Sequence, residues 1–291
     1  MADRLEDFYA KVGKLKAAPW KRGGKYSHDQ ALLRRLIQVA VDTGRAGKST
    51  TGGVALAVDV WVACELRRAG FDPDAVWPRA ESPRTLPPAI AQAVANYPFL
   101  KNKDKRKAEE RAISKLTQAL GRERTRIQGG QLAKEIDVAI GDFERGPELV
   151  VSTKAITSSY GNNITNRWEE ATGDLANLRG RFPLATIGFA LLVTEPILDE
   201  ENSWARAKDM LRKLREENPG APGLFYDGTC LIIADWGAHK AKTYPTEVPE
   251  DLAPNQFFEA LIPTLFTRSP VLLHEEARTR WQRSDPPGHI P

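Results

Sequence analysis

Residues 148–170 read ELVVSTKAITSSYGNNITNRWEE. An apolar run leaves on Ser152, Thr153 and Lys154, crosses a polar segment, and reaches the paired acids Glu169 and Glu170. Upstream, KEIDVAI sets Asp137 between Ile136 and Val138. These residue types suit one kind of chemistry. Hard divalent cations such as Mg²⁺ take carboxylate oxygens, and a cation so held acidifies an attacking water and offsets phosphoryl charge. A lysine beside it orients that water or neutralises charge that grows in the transition state. Phosphodiester hydrolysis uses all three. Alternation alone leaves Asp137 and Lys154 equally compatible with solvated strand positions. Their occurrence on consecutive strands beside a basic helix favours a site.

For these side chains to meet, the chain must form neighbouring strands, whose side chains alternate across the sheet. LAKEIDVAIGDF alternates as a strand does, and ELVVSTKAI is β-branched and apolar. In the second, Val151 and Thr153 point one way, Ser152 and Lys154 the other. TNRWEEATGDLANLRGR predicts a helix capped by Thr165 or Asn166, with Trp168, Ala171, Leu175 and Leu178 as its packed stripe. Spacing there favours Glu169; facing favours Glu170, the first choice, with Asp174 on the same flank one turn later. Both glutamates also suit a helix N-terminus through its dipole.

The rest of the order is helical, then mixed. HDQALLRRLIQVAVDTG carries Leu32, Leu33, Leu36, Ile37 and Val39 at helical spacing. GGVALAVDVWVACELRRAG reads as a more deeply buried helix, with Val54, Val58, Trp61, Val62 and Leu66 on a broad face. A proline-rich hinge, FDPDAVWPRAESPRTLPP, and a short helix, AIAQAVANYPF, follow. KRKAEERAISKLTQALG is a basic helix whose expected buried face is Ala112, Ile113, Leu116 and Leu120, with Glu109 projecting onto that face. PLATIGFALLVTEP and GTCLIIADW read as further strands around the amphipathic helix ENSWARAKDMLRKLREENPG, and PNQFFEALIPTLF closes the fold. This order indicates an α/β or α+β layer fold. The expected divisions are a helical region over 1–100, a core over 101–270 and a tail over 271–291. Glu148 is expected to face water.

Composition narrows the class. Hydrophobic residues make up 41% and charged residues 27% of 291, ordinary for a globular protein. The formal charge is +4, and the sequence pI of about 9.0 favours polyanion partners weakly. Two cysteines, Cys64 and Cys230, sit in apolar surroundings and fit buried thiols of a reducing compartment. The four histidines, His289 among them, form no zinc-binding spacing. No apolar run is long enough to span a bilayer, and the N-terminus has no signal-peptide core, so a cytoplasmic protein is expected, with no membrane partner. GKST at 47–50 resembles a phosphate-binding loop, but the first glycine of that pattern falls on Asp42, and the segment follows a helix rather than a strand.

With Asp137 and Lys154 on consecutive strands, the chain resembles the PD-(D/E)xK nuclease superfamily, typified by many type II restriction endonucleases, over roughly residues 105 to 240. Ile136 stands where the motif has proline, and Ser152 where it has the second acid. One subgroup carries Ser-x-Lys and moves the glutamate onto the next helix; Ser152, Lys154 and Glu169 or Glu170 look like that swapped form. The resemblance implies a restriction-endonuclease-like mixed central sheet flanked by helices. It implies Mg²⁺, with Mn²⁺ as substitute, held by Asp137, Glu170 or Glu169, and Glu109. It also implies double-stranded DNA as substrate, 5′-phosphate ends, and a homodimer or higher oligomer suited to two-fold targets. Ser152, Asn162, Asn163 and Arg167 are the candidate contacts to DNA near the site, and Arg179 and Arg181 the candidate readers of guanine. Lys105 and Arg106, with their basic neighbours, are candidate grips on phosphate. Polar loops contain such residues for turn chemistry as well. The alternative expectation, sustained by Ser152, is a catalytically silent DNA-binding or assembly protein on the same fold.

Overall fold

A computed structural model describes residues 3–16, 18–46 and 52–287, so the GKST segment and His289 lie outside the described residues. The chain begins with one helical turn, α1 (Glu6–Tyr9), and a short hairpin of β1 (Trp20–Lys21) and β2 (Lys25–Tyr26). Asp29 then caps α2 (Gln30–Asp42), its carboxylate accepting the Leu32 N–H at 3.1 Å. Leu32, Leu33, Leu36, Ile37 and Val39 are buried, as their spacing predicts. α3 (Gly53–Ala69) is apolar nearly all round and buried nearly all round, Trp61, Val62 and Leu66 included. Asp59, Glu65 and Arg68 are the charged residues buried within it. β3 (Val76–Trp77), α4 (Pro88–Ala95) and α5 (Lys103–Leu120) follow.

α5 departs from expectation. Leu116 is 55% and Leu120 43% exposed, and Thr117 is the helix's buried residue. Periodicity marks an apolar stripe without saying whether anything covers it.

β4 (Thr125–Gln128) and β5 (Ala133–Ile136) make a separate antiparallel ribbon, and Asp137 links β5 to β6 (Val138–Asp142). β7 (Gly146–Ile156), β8 (Thr186–Thr194), β9 (Gly228–Asp235) and β10 (Lys242–Thr243) join β6 and β3 in a six-stranded mixed sheet of order β10-β9-β8-β7-β6-β3. β7, β8 and β9 run parallel, and the outer strands are antiparallel to their neighbours. Parallel pairs need crossovers. α6 (Tyr160–Arg179) supplies the one between β7 and β8, and α7 (Glu201–Lys213) the next.

Every residue of β8 is buried, as a parallel strand covered on both faces requires. α6 and α7 cover one face, setting Leu175, Met210 and Leu211 against Ile187, Phe189 and Leu231. α2, α3 and α8 (Pro254–Arg268) cover the other, with Trp61, Phe257 and Leu261 in one core with Val151, Ala190 and Cys230. Gly188 permits that approach: a Cβ there would stand 2.7 Å from the Leu261 side chain. The first hundred residues thus supply a helical layer and an edge strand, Val76 pairing with Ile140.

Within the stretch expected as a tail, Glu275–Gln282 form α9. Arg280 donates to the Arg68 carbonyl at 2.8 Å, and Ala277 is buried. Few apolar residues mark this helix in a charged segment, so its signal is weak. Glu148, expected in water, is instead held inside β7 by Ser269 Oγ at 2.8 Å and His274 Nε2 at 3.0 Å. α6 also starts earlier than expected, at Tyr160, with Ser159 left-handed at φ 50°. The segment SSYGNN reads locally as turn chemistry, but burial of Tyr160 and Ile164 overrides it. No described helix is long and apolar enough to cross a membrane.

Candidate active site

Asp137 occupies the joint where the ribbon becomes the sheet. The register that pairs Val138 with Val151 brings it level with Ser152 and Thr153. Its Oδ2 accepts the Thr153 N–H at 2.9 Å and stands 3.4 Å from Lys154 Nζ. Lys154, on β7 beside Leu191 of β8, projects toward α6. There its Nζ is also 3.4 Å from Glu170 Oε1. One ammonium therefore joins an acid from the strand joint to an acid from the helix.

Further charges close around this centre. Lys134 of β5 reaches Asp174 at 2.6 Å and Glu170 at 3.7 Å. Arg167, one turn before Glu170, donates to its other oxygen. From the opposite side of the sheet, Asp59 of α3 accepts the Thr153 hydroxyl. Thr153 thus ties two carboxylates together, its N–H on Asp137 and its O–H on Asp59. Asp59 and Asp137 line one small cavity of about 140 Å³.

The electrostatics separate the two acids that touch Lys154. Burial pushes the Asp137 carboxyl upward, and Lys154, the Thr153 N–H and Lys134 oppose this without cancelling it. Burial also lifts Glu170, but Lys154, Arg167 and Lys134 outweigh it and hold that carboxyl below its usual range. Asp59 is pushed well up, by burial first and by the Asp137 charge second. Lys154 feels burial against its charge, yet Asp137, Glu170, Asp174 and Asp59 more than compensate and keep it a firm cation. Neighbouring acids driven in opposite directions are a feature of functional sites more than of solvated surfaces.

As a donor set, Asp137 and Glu170 offer hard oxygens and nothing softer. Among the described residues no group of three or more histidines, cysteines and acids is arranged to cage an ion. Mg²⁺ seldom needs such a cage; it keeps several waters and binds through one or two carboxylates. The pair fits that requirement.

Of the residues expected from sequence, Asp137, Lys154, Glu170 and Arg167 come together. Glu169 is exposed, and Glu170 is the glutamate that lies beside Lys154. Glu109 is not at the site: it accepts the Leu100 N–H at 2.9 Å on a helix whose apolar stripe is open. Ser152 is buried, 5% exposed, and offers no contact surface. Arg179 is engaged within the fold, 2.7 Å from the buried Asp227, and is no free reader of bases. Asn163 donates to the Ser158 carbonyl at 2.8 Å, while Asn162 is exposed on the first turn of α6. Arg181 is exposed over the Phe182 ring. Arg106 pairs with Glu110 at 2.9 Å, and Lys105 is exposed nearby.

Sequence reasoning missed Asp59 and Lys134. The signal for Asp59 was present: an acid amid VALAVDVWVACEL, on a helix too apolar to leave it a wet face. Lys134 had no comparable mark, being one basic residue in an alternating strand. No protein-family model, curated protein or solved structure matches this chain.

Proposed function

We propose that this chain is a Mg²⁺-dependent, sequence-specific endonuclease of double-stranded DNA, of the type II restriction kind, on a restriction-endonuclease-like fold. The observation that carries this reading is the single Lys154 Nζ standing 3.4 Å from both Asp137 and Glu170. Asp137 and Glu170 are the residues that would hold the cation. Bound there, it would supply Lewis acidity toward the phosphoryl oxygens and a lowered pKa for water. Lys154, a firm cation, positions the scissile phosphate and offsets the charge that gathers on it. Arg167 and Lys134 fix the Glu170 carboxylate, and Thr153 fixes Asp137 through its N–H. The ends produced are 5′-phosphates, and a homodimer in the cytoplasm is the assembly suited to cutting both strands of a two-fold target.

Plasmid and phage DNA incubated with Mg²⁺, with Mn²⁺ and with EDTA test this. Cutting is expected with either metal, none with EDTA, and a loss of about 10²–10³ in rate for Lys154→Ala. Undiminished cutting by that variant overturns the reading.

One observation favours a second reading, a DNA-binding protein without catalysis. Glu170 has cations on both oxygens, Lys154 and Lys134 on one and Arg167 on the other, and Ser152 replaces an acid on the strand. DNA binding equal in wild type and Lys154→Ala, with no cutting in either metal, selects it.

A further inference from the structure

A second cleft adjoins the site. It lies between the β4–β5 ribbon and the tip of the β6–β7 hairpin, with a volume of about 410 Å³, and shares Arg124 and Thr125 with the cavity that holds Asp59 and Asp137. Arg122, Arg126 and Arg181 line it, together with the aromatic rings of Trp77, Phe143 and Phe182.

Its charges divide sharply. Arg124 is paired with Glu135 at 3.0 Å, and Arg145 with Asp142 and Glu148. Arg122, Arg126 and Arg181 are exposed, and among the described residues none has a carboxylate partner. Glu144 at the hairpin tip is the acid left on the rim. Arg122 pairs with Thr85 across an isolated bridge and Arg126 lies on β4, with a bend at Glu123 and Arg124 between them. Phe143 is 56% exposed although its ring leans on Trp77, with centroids 5.6 Å apart. The hairpin tip that displays it is stiff, because Asp142 Oδ1 accepts the N–H groups of Glu144 at 2.9 Å and Arg145 at 2.7 Å. An exposed ring held in place among unpaired guanidiniums is the composition that stacks a base and grips its backbone.

The geometry points to this cleft as the seat of the DNA strand flanking the cut, phosphates on Arg122, Arg126 and Arg181, and one unstacked base on Phe143. The assignment rests on the nuclease reading for its substrate, not for its chemistry. It also places the strand next to Asp137 without using any residue of that centre.

The test separates the two. A fluorescent random-sequence 30-base-pair duplex is titrated with full-length protein in EDTA, where no cutting occurs, over a series of salt concentrations. The triple variant Arg122→Ala, Arg126→Ala, Arg181→Ala is expected to bind at least about a hundredfold more weakly. Its dependence of log affinity on log salt should be shallower by about 0.9 for each arginine removed. Phe143→Ala, carrying the same charge as wild type, is expected to lose about tenfold in affinity with the salt slope unchanged. Duplex containing 2-aminopurine should brighten on binding wild type and not Phe143→Ala. Lys240→Ala, an exposed charge on a distant turn, serves as the control and binds like wild type. Because all the substituted side chains are exposed, folding is retained, and melting temperature confirms it.

Wild-type affinity and salt slope in the triple variant overturn the cleft and leave the nuclease reading standing if the protein cuts. The expected losses with no cutting in any metal uphold the cleft and sink the nuclease. Absence of duplex binding by wild type at low salt overturns both.

Discussion

Two aspartates at opposite margins of the same sheet, Asp227 and the quarter-exposed Asp137, are treated in opposite ways. Asp227, 3% exposed, is saturated: Arg179 at 2.7 Å, Arg268 on both oxygens at 2.8 Å, and the Ile187 N–H at 2.8 Å. Asp137 has one ammonium at 3.4 Å and one amide at 2.9 Å, and shares Thr153 with a second carboxylate, Asp59. A charge that only builds the fold is given every partner it can use, since an unpaired buried charge is costly. Asp137 has fewer partners and is crowded by another acid. That contrast, more than the residue types, is what supports the proposal that the Asp137 side is the working site.

The contrast can be broken by substitution. The largest expected effect is on chemistry: Asp137→Asn should lower Mg²⁺-dependent cutting by about a hundredfold or more, with the melting temperature unchanged or raised. Substantial unfolding instead would show that Asp137 is a structural charge like Asp227. Arg179→Ala should do the reverse. It removes one guanidinium from a buried acid and is expected to cost about 3 kcal/mol in a urea melt, while whatever protein remains folded cuts at the normal rate. Loss of cutting without loss of stability would return Arg179 to the list of DNA contacts.

A subtler test uses pH. The Asp59 carboxyl is raised well above its usual range in the folded chain. The unfolded chain releases that proton near pH 4, so the folded state loses stability as pH rises from there toward the folded-state value. Asp59→Asn abolishes this loss. It should raise the melting temperature at pH 7, and the difference from wild type should vanish on acidifying to about pH 4. A variant less stable at pH 7 would mean that Asp59 is a satisfied structural acid.

Much of this was legible in the sequence, and the gaps have definite physical causes. Alternation put Lys154 on the α6 side of the sheet, but the single strand expected through Asp137 breaks at that residue into β5 and β6, which lie in different sheets. Helical facing selected Glu170 over Glu169. What failed was anything that depended on a distant partner. Arg179 reads as a free guanidinium until Asp227, far along the chain, folds beside it. Glu109 reads as inward because the stripe of Leu116 and Leu120 reads as covered. The apolar helix marked Asp59 as a buried acid, but not as a neighbour of Asp137, because that helix lies on the far face of the sheet and reaches the site through the Thr153 hydroxyl. The start of α6 was lost to local turn chemistry that tertiary burial overrode.

The central claim is that a helix acid completes the site that the strand leaves short, and that the acid is Glu170. Cutting of phage DNA with Mg²⁺ by Glu170→Gln and Glu169→Gln, side by side, tests it most directly. The account predicts a drop of about a hundredfold or more for Glu170→Gln and wild-type cutting for Glu169→Gln. Unimpaired cutting by Glu170→Gln, or a loss confined to Glu169→Gln, would contradict it.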